Sequence, residues 1–181
     1  QSKDGWNTYW AVVLAKKGSA TFTNKDYFSG KKVLFCSLAS SGELYFRSLF
    51  ESSTINAEMK KASSHGAAIG ALAQGAADIA IVKNRVWDSK KSQYPDLVEV
   101  GRDMGENPNG TLIASTKADT ATVAKLKELL LAIESDASAD ATAAKEKLGI
   151  TGYIVTTKDD FATTIPMLKK AGVTKEFNFQ F

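Results

Sequence analysis

The chain has 181 residues, which is enough for one domain, or two small lobes, with a substantial core. Hydrophobic residues make up 44% of the chain and charged residues 24%, which argues against a disordered protein. The net charge is +3, and lysines come in pairs at 31–32, 60–61 and 90–91 rather than in one basic block. Binding of nucleic acid through bulk charge is therefore not expected.

One cysteine and one histidine narrow the chemistry that the chain can perform. Cys36 can form no internal disulfide, and its place in the apolar stretch VLFC predicts a buried, inert thiol. Because His65 is the only histidine, a His-rich metal site is excluded, and we expect neither a metal nor a cofactor. A hydrolase built from Ser40 or Ser41, His65 and an aspartate stays open, but no GxSxG, HExxH, CxxC or Walker loop is present. We predict that the chain is not an enzyme.

No stretch of the sequence predicts a membrane-spanning helix. The longest apolar run, residues 9–15, is far too short to cross a bilayer, so we expect no membrane insertion. The sequence shows no signal peptide, and a chain that begins at Gln1 is compatible with a mature exported protein.

Short strands alternate with helices along the first 115 residues. The apolar patterns predict strands at 9–15, 32–36, 58–62, 78–82, 97–100 and 111–115. Helices are predicted at 41–50 and 64–74, and a polar helix or loop carries Trp87.

The last third of the chain reads as helical. Residues 118–134 predict a long amphipathic helix capped by Asp119 or Thr120, and residues 137–148 a second helix that ends at Gly149. A third helix is predicted at 158–171, where Pro166 should kink it or end its first half. The tail EFNFQF alternates as a half-buried strand does.

Strands that alternate with helices predict an α/β fold, a three-layer sandwich with a mainly parallel mixed sheet. We expect one domain over residues 1–181. It would comprise a sheet-forming lobe at 9–115 and a helical C-terminal part at 116–181 with a strand-like tail.

The stretch FCSLASSGELYF, residues 35–46, has two interpretations. Ser40-Ser41-Gly42-Glu43 fits the S-x-x-E capping box, in which Ser40 accepts from the Glu43 amide and Glu43 reaches back. The same amides and hydroxyls, at the start of a helix that follows a strand, could instead bind an anion. Glu43 counts against the anion, because a carboxylate in the first turn competes for the same positive end of the helix.

The stretch from Lys61 to Val82, KASSHGAAIGALAQGAADIAIV, places a lone histidine in the first turn of a helix. Such a histidine is more often an exposed bystander than a ligand. Asp78 opens the next strand, where a turn or cap carboxylate is the plainer interpretation.

The order of these motifs resembles the periplasmic solute-binding proteins of phosphate, phosphite and phosphonate ABC transporters, which have the type II periplasmic-binding fold. The resemblance lies in a strand, an SSG turn and a helix, followed by SSH, a helix, G-x-x-D-I-A-I-V and an N-P turn. It runs from about residue 9 to the end and is densest over 28–82. It implies a periplasmic or secreted protein that binds a small oxyanion for ABC-type uptake.

The resemblance also implies which residues bind. In that family a Ser-Thr-Ser-Gly turn wraps the oxyanion, a histidine in a Ser-Ser-His motif joins it, and a Tyr-Trp pair lies at a chain crossing. These become Ser40, Ser41 and Gly42, then His65, then Tyr9 beside Trp10.

Two residues depart from the family pattern, and one segment is shorter. Ala39 replaces the first hydroxyl of the turn, and Arg85 stands where aminophosphonate binders keep a carboxylate, so a ligand with an amine is not expected. The chain also starts near the first crossover, so most of the first lobe looks absent.

The shorter first lobe leaves two functions open. The chain is either a solute-binding protein for a phosphate-like oxyanion or a truncated lobe that serves as a structural or protein-interaction module with a vestigial site. In both cases we expect a protein partner or a homo-oligomer. It would cover aromatic side chains at the two ends of the chain, although the tail could instead pack back on its own sheet: Trp6, Tyr9, Trp10, Phe177, Phe179 and Phe181.

Overall fold

The computed structural model describes residue 2 and residues 7–51 and 53–179. Their chain forms two compact units. The first, which we call the helical unit, is drawn from Gln1–Thr8 and Pro108–Phe161. The second, the sheet unit, is drawn from Tyr9–Asn107 and Ala162–Phe181. The expectation of one domain over the whole chain stays a prediction.

Strands and helices alternate through the sheet unit, as the sequence pattern predicts. The strands are β1 (Thr8–Tyr9), β2 (Ala11–Lys16), β3 (Lys32–Phe35), β4 (Glu58–Lys61), β5 (Ile79–Lys83), β6 (Leu97–Arg102) and β7 (Asn107–Pro108). The helices are α1 (Ser41–Ser48), α2 (His65–Ala73), α3 (Asn84–Lys90), α4 (Thr120–Ala132), α5 (Ala139–Leu148) and α6 (Thr164–Lys170).

Five strands form one mixed sheet in the order β4-β3-β5-β2-β6. β3 lies parallel to both β4 and β5, while β2 is antiparallel to β5 and to β6, so four of the five strands run the same way. β1 and β7 pair in a separate two-stranded sheet. The predicted mixed α/β sheet is confirmed.

Each face of the five-stranded sheet is covered by its own helices. Side chains of β3 and β5 alternate between the two faces, as strand geometry requires. On one face Val33 and Phe35 pack against α1 and α6, in a cluster that includes Phe28 and Phe46. On the other face Leu34 packs against α2 and α3. Helices on both faces of the sheet make the predicted three layers.

Asp78 plays the structural part that its position suggested. Its carboxylate accepts a hydrogen bond from the Lys32 amide at 2.7 Å, and its own amide donates to the Lys32 carbonyl at 3.0 Å. These bonds join the start of β5 to the start of β3, at the edge of the sheet opposite the ends of both strands. Asp78 is therefore a turn residue of the sheet and lies away from the candidate site.

The helical unit buries few side chains. Helix α4 has no buried residue, and α5 buries Ala141. An open apolar groove of about 850 Å³ runs between α4 and the extended segments 111–114 and 153–158. The exposed apolar residues of this unit, which we call the apolar face, are Leu112, Ile113, Leu126, Leu129, Leu131, Leu148, Ile154 and Val155.

Three predicted elements differ from the structure. Residues 111–115 form no strand, and neither do the described tail residues 176–179. The helix expected at 158–171 is divided into a 3-10 turn at Asp159–Phe161 and α6. Pro166 lies in the first turn of α6, where its missing amide hydrogen costs nothing because that amide would have no helical partner.

The described aromatic residues at the chain ends are partly covered, and the tail packs on its own sheet. Tyr9, Trp10, Phe177 and Phe179 are half-buried, and Phe179 packs on the α1 side of the sheet. The rings of Phe177 and Phe179 meet edge to face, with centroids 4.7 Å apart. Trp6 and Phe181 lie outside the described residues.

Within the described ranges, no helix combines the length and the apolar character needed to cross a membrane.

Candidate functional site

One edge of the sheet gathers the segments that the sequence singled out. The registers place Phe35 of β3 beside Lys61 of β4 and Ile81 of β5, and Lys83 of β5 beside Ala11 of β2. Strands β3, β4 and β5 therefore end at this edge, and β2 begins there after Tyr9. We call this the carboxyl edge, and in open α/β sheets it is where ligands bind.

Helix α1 begins at the carboxyl edge with a serine cap. The Ser40 hydroxyl oxygen accepts from the Glu43 amide at 3.3 Å, as the capping box predicts. Ser41 and Gly42 are the first two residues of the helix, whose amides have no partner within a helix. Together with the cap hydroxyl, these amides form a set of donors suited to an anion.

Glu43 is held inside the turn. Its side chain is 0% exposed, and it accepts from the Ala39 amide at 2.7 Å and from the Arg47 guanidinium at 2.7 Å. It reaches Ala39 rather than Ser40, one residue beyond the capping-box pattern, and Ala39 has the left-handed φ of 56°. Arg47 balances the charge of this carboxylate, so Glu43 competes less with an anion than its position in the first turn suggested.

Gly42 lets α1 approach the sheet closely. A Cβ atom on Gly42 would lie 3.1 Å from the Ile81 carbonyl oxygen and 3.1 Å from its Cγ2 atom. Only a residue without a side chain fits there unless the strand or the helix shifts. This contact places the start of α1 against the end of β5.

His65 is the first residue of α2, which Ser64 caps by accepting from the Ala67 amide at 3.0 Å. The His65 Nδ1 atom accepts from the Lys83 amide at 3.2 Å. An imidazole that accepts at Nδ1 carries its proton on Nε2, so Nε2 is a donor. Burial of the ring, with the charge of Lys83, lowers the pKa of His65 and favours this neutral form.

Tyr9 and Trp10 lie beside the end of β5. The Lys83 Nζ atom is 4.1 Å from the centroid of the Tyr9 ring, which is a cation–π distance. The Trp10 amide donates to the Asn84 side-chain oxygen at 3.2 Å, and the Asn84 amide donates to the Trp10 carbonyl at 3.0 Å. These bonds fix the segment before β2 at the carboxyl edge.

Asp103 is a titratable residue at the same edge. It follows β6, and its carboxylate accepts from the Gly105 amide at 2.9 Å and from the Asn107 amide nitrogen at 3.3 Å. Burial raises the pKa of Asp103. Burial, with the charge of Asp103, raises the pKa of Tyr45 to about 12, and the Tyr45 hydroxyl donates to the Arg102 carbonyl at 3.0 Å.

The structure thus places all five predicted ligand residues at one edge: Tyr9, Ser40, Ser41, Gly42 and His65. Helices α1 and α2 lie on opposite faces of the sheet, and both begin at this edge. That these residues bind a ligand stays a prediction. Lys83 and Asp103 were missed, because a charged residue at the end of a strand has no distinguishing sequence signal.

The described residues include no group of three or more His, Cys, Asp or Glu side chains that could hold a metal ion. Cys36 is half-buried rather than buried, and its Sγ atom lies 3.6 Å from the Ser37 hydroxyl.

A comparison with known protein families shows which family the chain belongs to. The sequence profile described as "ABC transporter, phosphonate, periplasmic substrate-binding protein" matches residues 1–161. The chain belongs to this family. The phosphonate-binding family is one of transport proteins rather than enzymes, its members act in the periplasm, and membership confirms the resemblance found in the sequence. No curated protein sequence matches the chain.

Solved structures show the same fold as this member of the phosphonate-binding family. XAC2383 from Xanthomonas citri, bound to ATP, superposes with a TM-score of 0.77 at 15% identity, over 94% of this chain and 68% of that one. PhnD1 from Prochlorococcus marinus, in complex with methylphosphonate, gives 0.70 at 13% identity, over 94% and 70%. An ancestral arginine-binding protein bound to arginine gives 0.55 at 22% identity, over 81% and 62%.

Proposed function

We propose that this chain is the periplasmic solute-binding component of an ABC-type uptake system and that it binds a phosphate-like oxyanion at the carboxyl edge. The ligand lies against the start of α1, where Ser40, Ser41 and Gly42 offer hydroxyls and amides. His65 donates from Nε2, and Tyr9 packs against the ligand.

The observation that carries this proposal is the hydrogen bond from the Lys83 amide to His65 Nδ1, at 3.2 Å. It leaves the other nitrogen as a donor while the ring is neutral, which is the form that burial favours. An exposed histidine without such a bond would have no fixed tautomer. The Nε2 donor of His65, at the start of α2, suits a ligand that only accepts hydrogen bonds, such as an oxyanion.

Two further observations support an anion. Arg47 balances the charge of Glu43 within the turn, which removes the objection that the first-turn carboxylate raised. Structures that share the fold were solved with methylphosphonate and ATP, both of which carry phosphorus oxyanions, and with a chloride ion. The arginine-binding relative shows that the fold also accepts other ligands, so the site residues have to carry the argument.

Two capping serines with the same geometry provide the test. Ser40 caps α1 and Ser138 caps α5, and each accepts from an amide three residues on at 3.3 Å. Replacing either by alanine should cost about 0.5–2 kcal/mol of stability through the lost cap. We expect Ser40→Ala alone to weaken the binding of methylphosphonate, by about tenfold or more, because hydrogen bonds to charged groups contribute about 1.5–3 kcal/mol.

Binding is measured by calorimetry with methylphosphonate, phosphate and sulfate, and stability by urea unfolding. The proposal fails if the wild-type chain shows no saturable binding of any of the three anions. It also fails at Ser40 if both variants bind as the wild type does, or if both lose affinity equally.

A further inference from the structure

Lys83 is a charged residue that contacts two of the predicted ligand residues. It is the last residue of β5, at the carboxyl edge. Its backbone amide donates to His65 Nδ1 at 3.2 Å, and its ammonium lies 4.1 Å from the centroid of the Tyr9 ring. One residue thus contacts His65 through its backbone and Tyr9 through its side chain.

The dipolar donors at this edge are serine hydroxyls, helix amides and the neutral imidazole of His65, and their attraction to an anion falls off steeply with distance. An ammonium carries a full charge. It therefore adds a stronger attraction of longer range, which doubles when the charge of the ligand doubles. The Lys83 charge already acts across this edge, since it contributes to the lowered pKa of His65.

We propose that the Lys83 ammonium selects for charge and makes the site prefer doubly charged oxyanions over singly charged ones of the same shape. The inference rests on the proposed function, because it assumes that an oxyanion binds beside Tyr9 and His65. It narrows the ligand class to dianions such as phosphonates, phosphate and sulfate.

Lys31 offers a matched control for Lys83. Its ammonium lies 4.3 Å from the centroid of the Tyr27 ring, so it makes the same kind of cation–π contact. It precedes β3, and therefore lies at the opposite edge of the sheet from the candidate site. If Lys83 served only to pack on Tyr9, the two lysines would have equivalent roles.

The test compares methylphosphonate with methanesulfonate in mildly alkaline buffer, where the first carries two negative charges and the second carries one. Calorimetry gives the affinity of the wild type, Lys83→Met, Lys83→Arg and Lys31→Met for both. We expect Lys83→Met to weaken methylphosphonate binding by roughly tenfold and methanesulfonate binding by about threefold, because half the ligand charge loses half of the attraction. Lys83→Arg should keep the preference of the wild type, and Lys31→Met should change neither affinity.

The outcomes separate this inference from the proposed function. If the wild type binds neither anion, both are wrong. If the wild type binds but Lys83→Met binds both anions unchanged, or loses both equally, the charge selection is wrong while the oxyanion site stands. Thermal unfolding of each variant shows whether a loss of affinity reflects misfolding. If Lys83→Met misfolds, Lys83→Arg decides, because it retains the charge. A ratio of methylphosphonate to methanesulfonate affinity equal to that of the wild type would support the charge selection, and a lost preference would contradict it.

Discussion

Glu43 and His65 are two titratable side chains at the carboxyl edge, the first fully buried and the second half-buried. Glu43 is fully buried, and Arg47, whose side chain is 15% exposed, bonds to it at 2.7 Å. An ion pair of this kind fixes geometry more than it adds stability, because both charges have lost their water. The pair holds the turn at Ala39 in its left-handed conformation, and thereby positions the amides that follow.

His65 gives the protein a defined dependence on pH. Its pKa lies below the ordinary value of 6.5, first because burial disfavours the imidazolium and second because Lys83 repels it. The unfolded chain therefore binds this proton more readily than the folded chain. The stabilisation is complete above about pH 6.5 and is lost as the pH falls from there through the lowered pKa.

Replacing His65 by glutamine should remove this contribution. We expect the free energy of unfolding of the wild type to fall more steeply than that of His65→Gln as the pH drops below about 6.5. Urea unfolding at a series of pH values, followed by tryptophan fluorescence, measures both slopes. Equal slopes for the two proteins would show that the His65 pKa is the same in the folded and unfolded chains.

The secondary-structure elements bring two helix starts to one edge of the sheet. Helix α1 follows β3 on one face and α2 follows β4 on the other. Because β3, β4 and β5 are parallel, the helices that follow them must all begin at the same edge. The second residue of each helix is a glycine, but a Cβ at Gly42 would meet a strand, whereas one at Gly66 would meet Lys90 of α3.

Gly42→Ala and Gly66→Ala make a matched pair of tests of this packing. A Cβ at Gly42 would lie 3.1 Å from a strand carbonyl, whereas one at Gly66 would meet the flexible Lys90 side chain at 3.3 Å. We expect Gly42→Ala to destabilise the protein by about 1–3 kcal/mol. Gly66→Ala should be neutral or stabilising by up to about 1 kcal/mol, since alanine favours the helix. Urea unfolding measures the stability of both variants. If Gly42→Ala changed the stability as little as Gly66→Ala, α1 would be able to move away from β5 without loss.

The sequence alone predicted those helices and strands whose bounds are marked by a local residue pattern. The apolar run before the SSG turn predicted β3 and α1 to within two residues, and Gly149 marked the end of α5 because glycine adopts the left-handed conformation there. Residues 111–115 have a strand-like composition but form no strand. A strand exists only where a neighbour accepts its hydrogen bonds, and composition does not supply the neighbour.

The same limit applies to the candidate site, because local motifs predict only some of its residues. Ser40, Ser41 and His65 belong to short motifs, whereas Lys83 and Asp103 become neighbours of the site only once the strands are aligned. The packing of Glu43 on Arg47 is a local i, i+4 pair. The burial of Glu43, however, depends on α1 lying against the sheet, and the local sequence does not predict it.

At the scale of the whole molecule, the apolar face of the helical unit departs from an ordinary surface. Ile113 is 87% exposed and Leu112 is 62% exposed, beside the groove of about 850 Å³. Leu112, Ile113, Leu126, Leu131, Ile154 and Val155 all line this one groove, which differs from the scattered apolar residues that every protein exposes. The expected protein partner or homo-oligomer stays a prediction, for which light scattering gives the mass.

We expect the native chain to bind a fluorescent hydrophobic dye through this face. Replacing Leu126 and Ile113 by lysine should lower the dye fluorescence of the native protein, since both side chains belong to the apolar face. Both positions are exposed, so stability should change by less than about 0.5 kcal/mol for each. Leu38→Lys, at an exposed position of the sheet unit, is the control. Equal dye binding by all variants would contradict the assignment of the dye to this face.

The return of residues 162–181 to the sheet unit has a consequence for the order in which the protein folds. All five strands of the main sheet lie within residues 9–107, so the sheet can form while the chain is still being synthesised. Helix α6 contributes Met167 to the cluster on the α1 face, and it follows only after the helical unit has been made. The contact between α1 and α6 therefore closes a long loop, which is the slow kind of step in folding. Until it closes, α1 covers its face of the sheet without α6 in a nascent chain, while α2 and α3 already cover the other face.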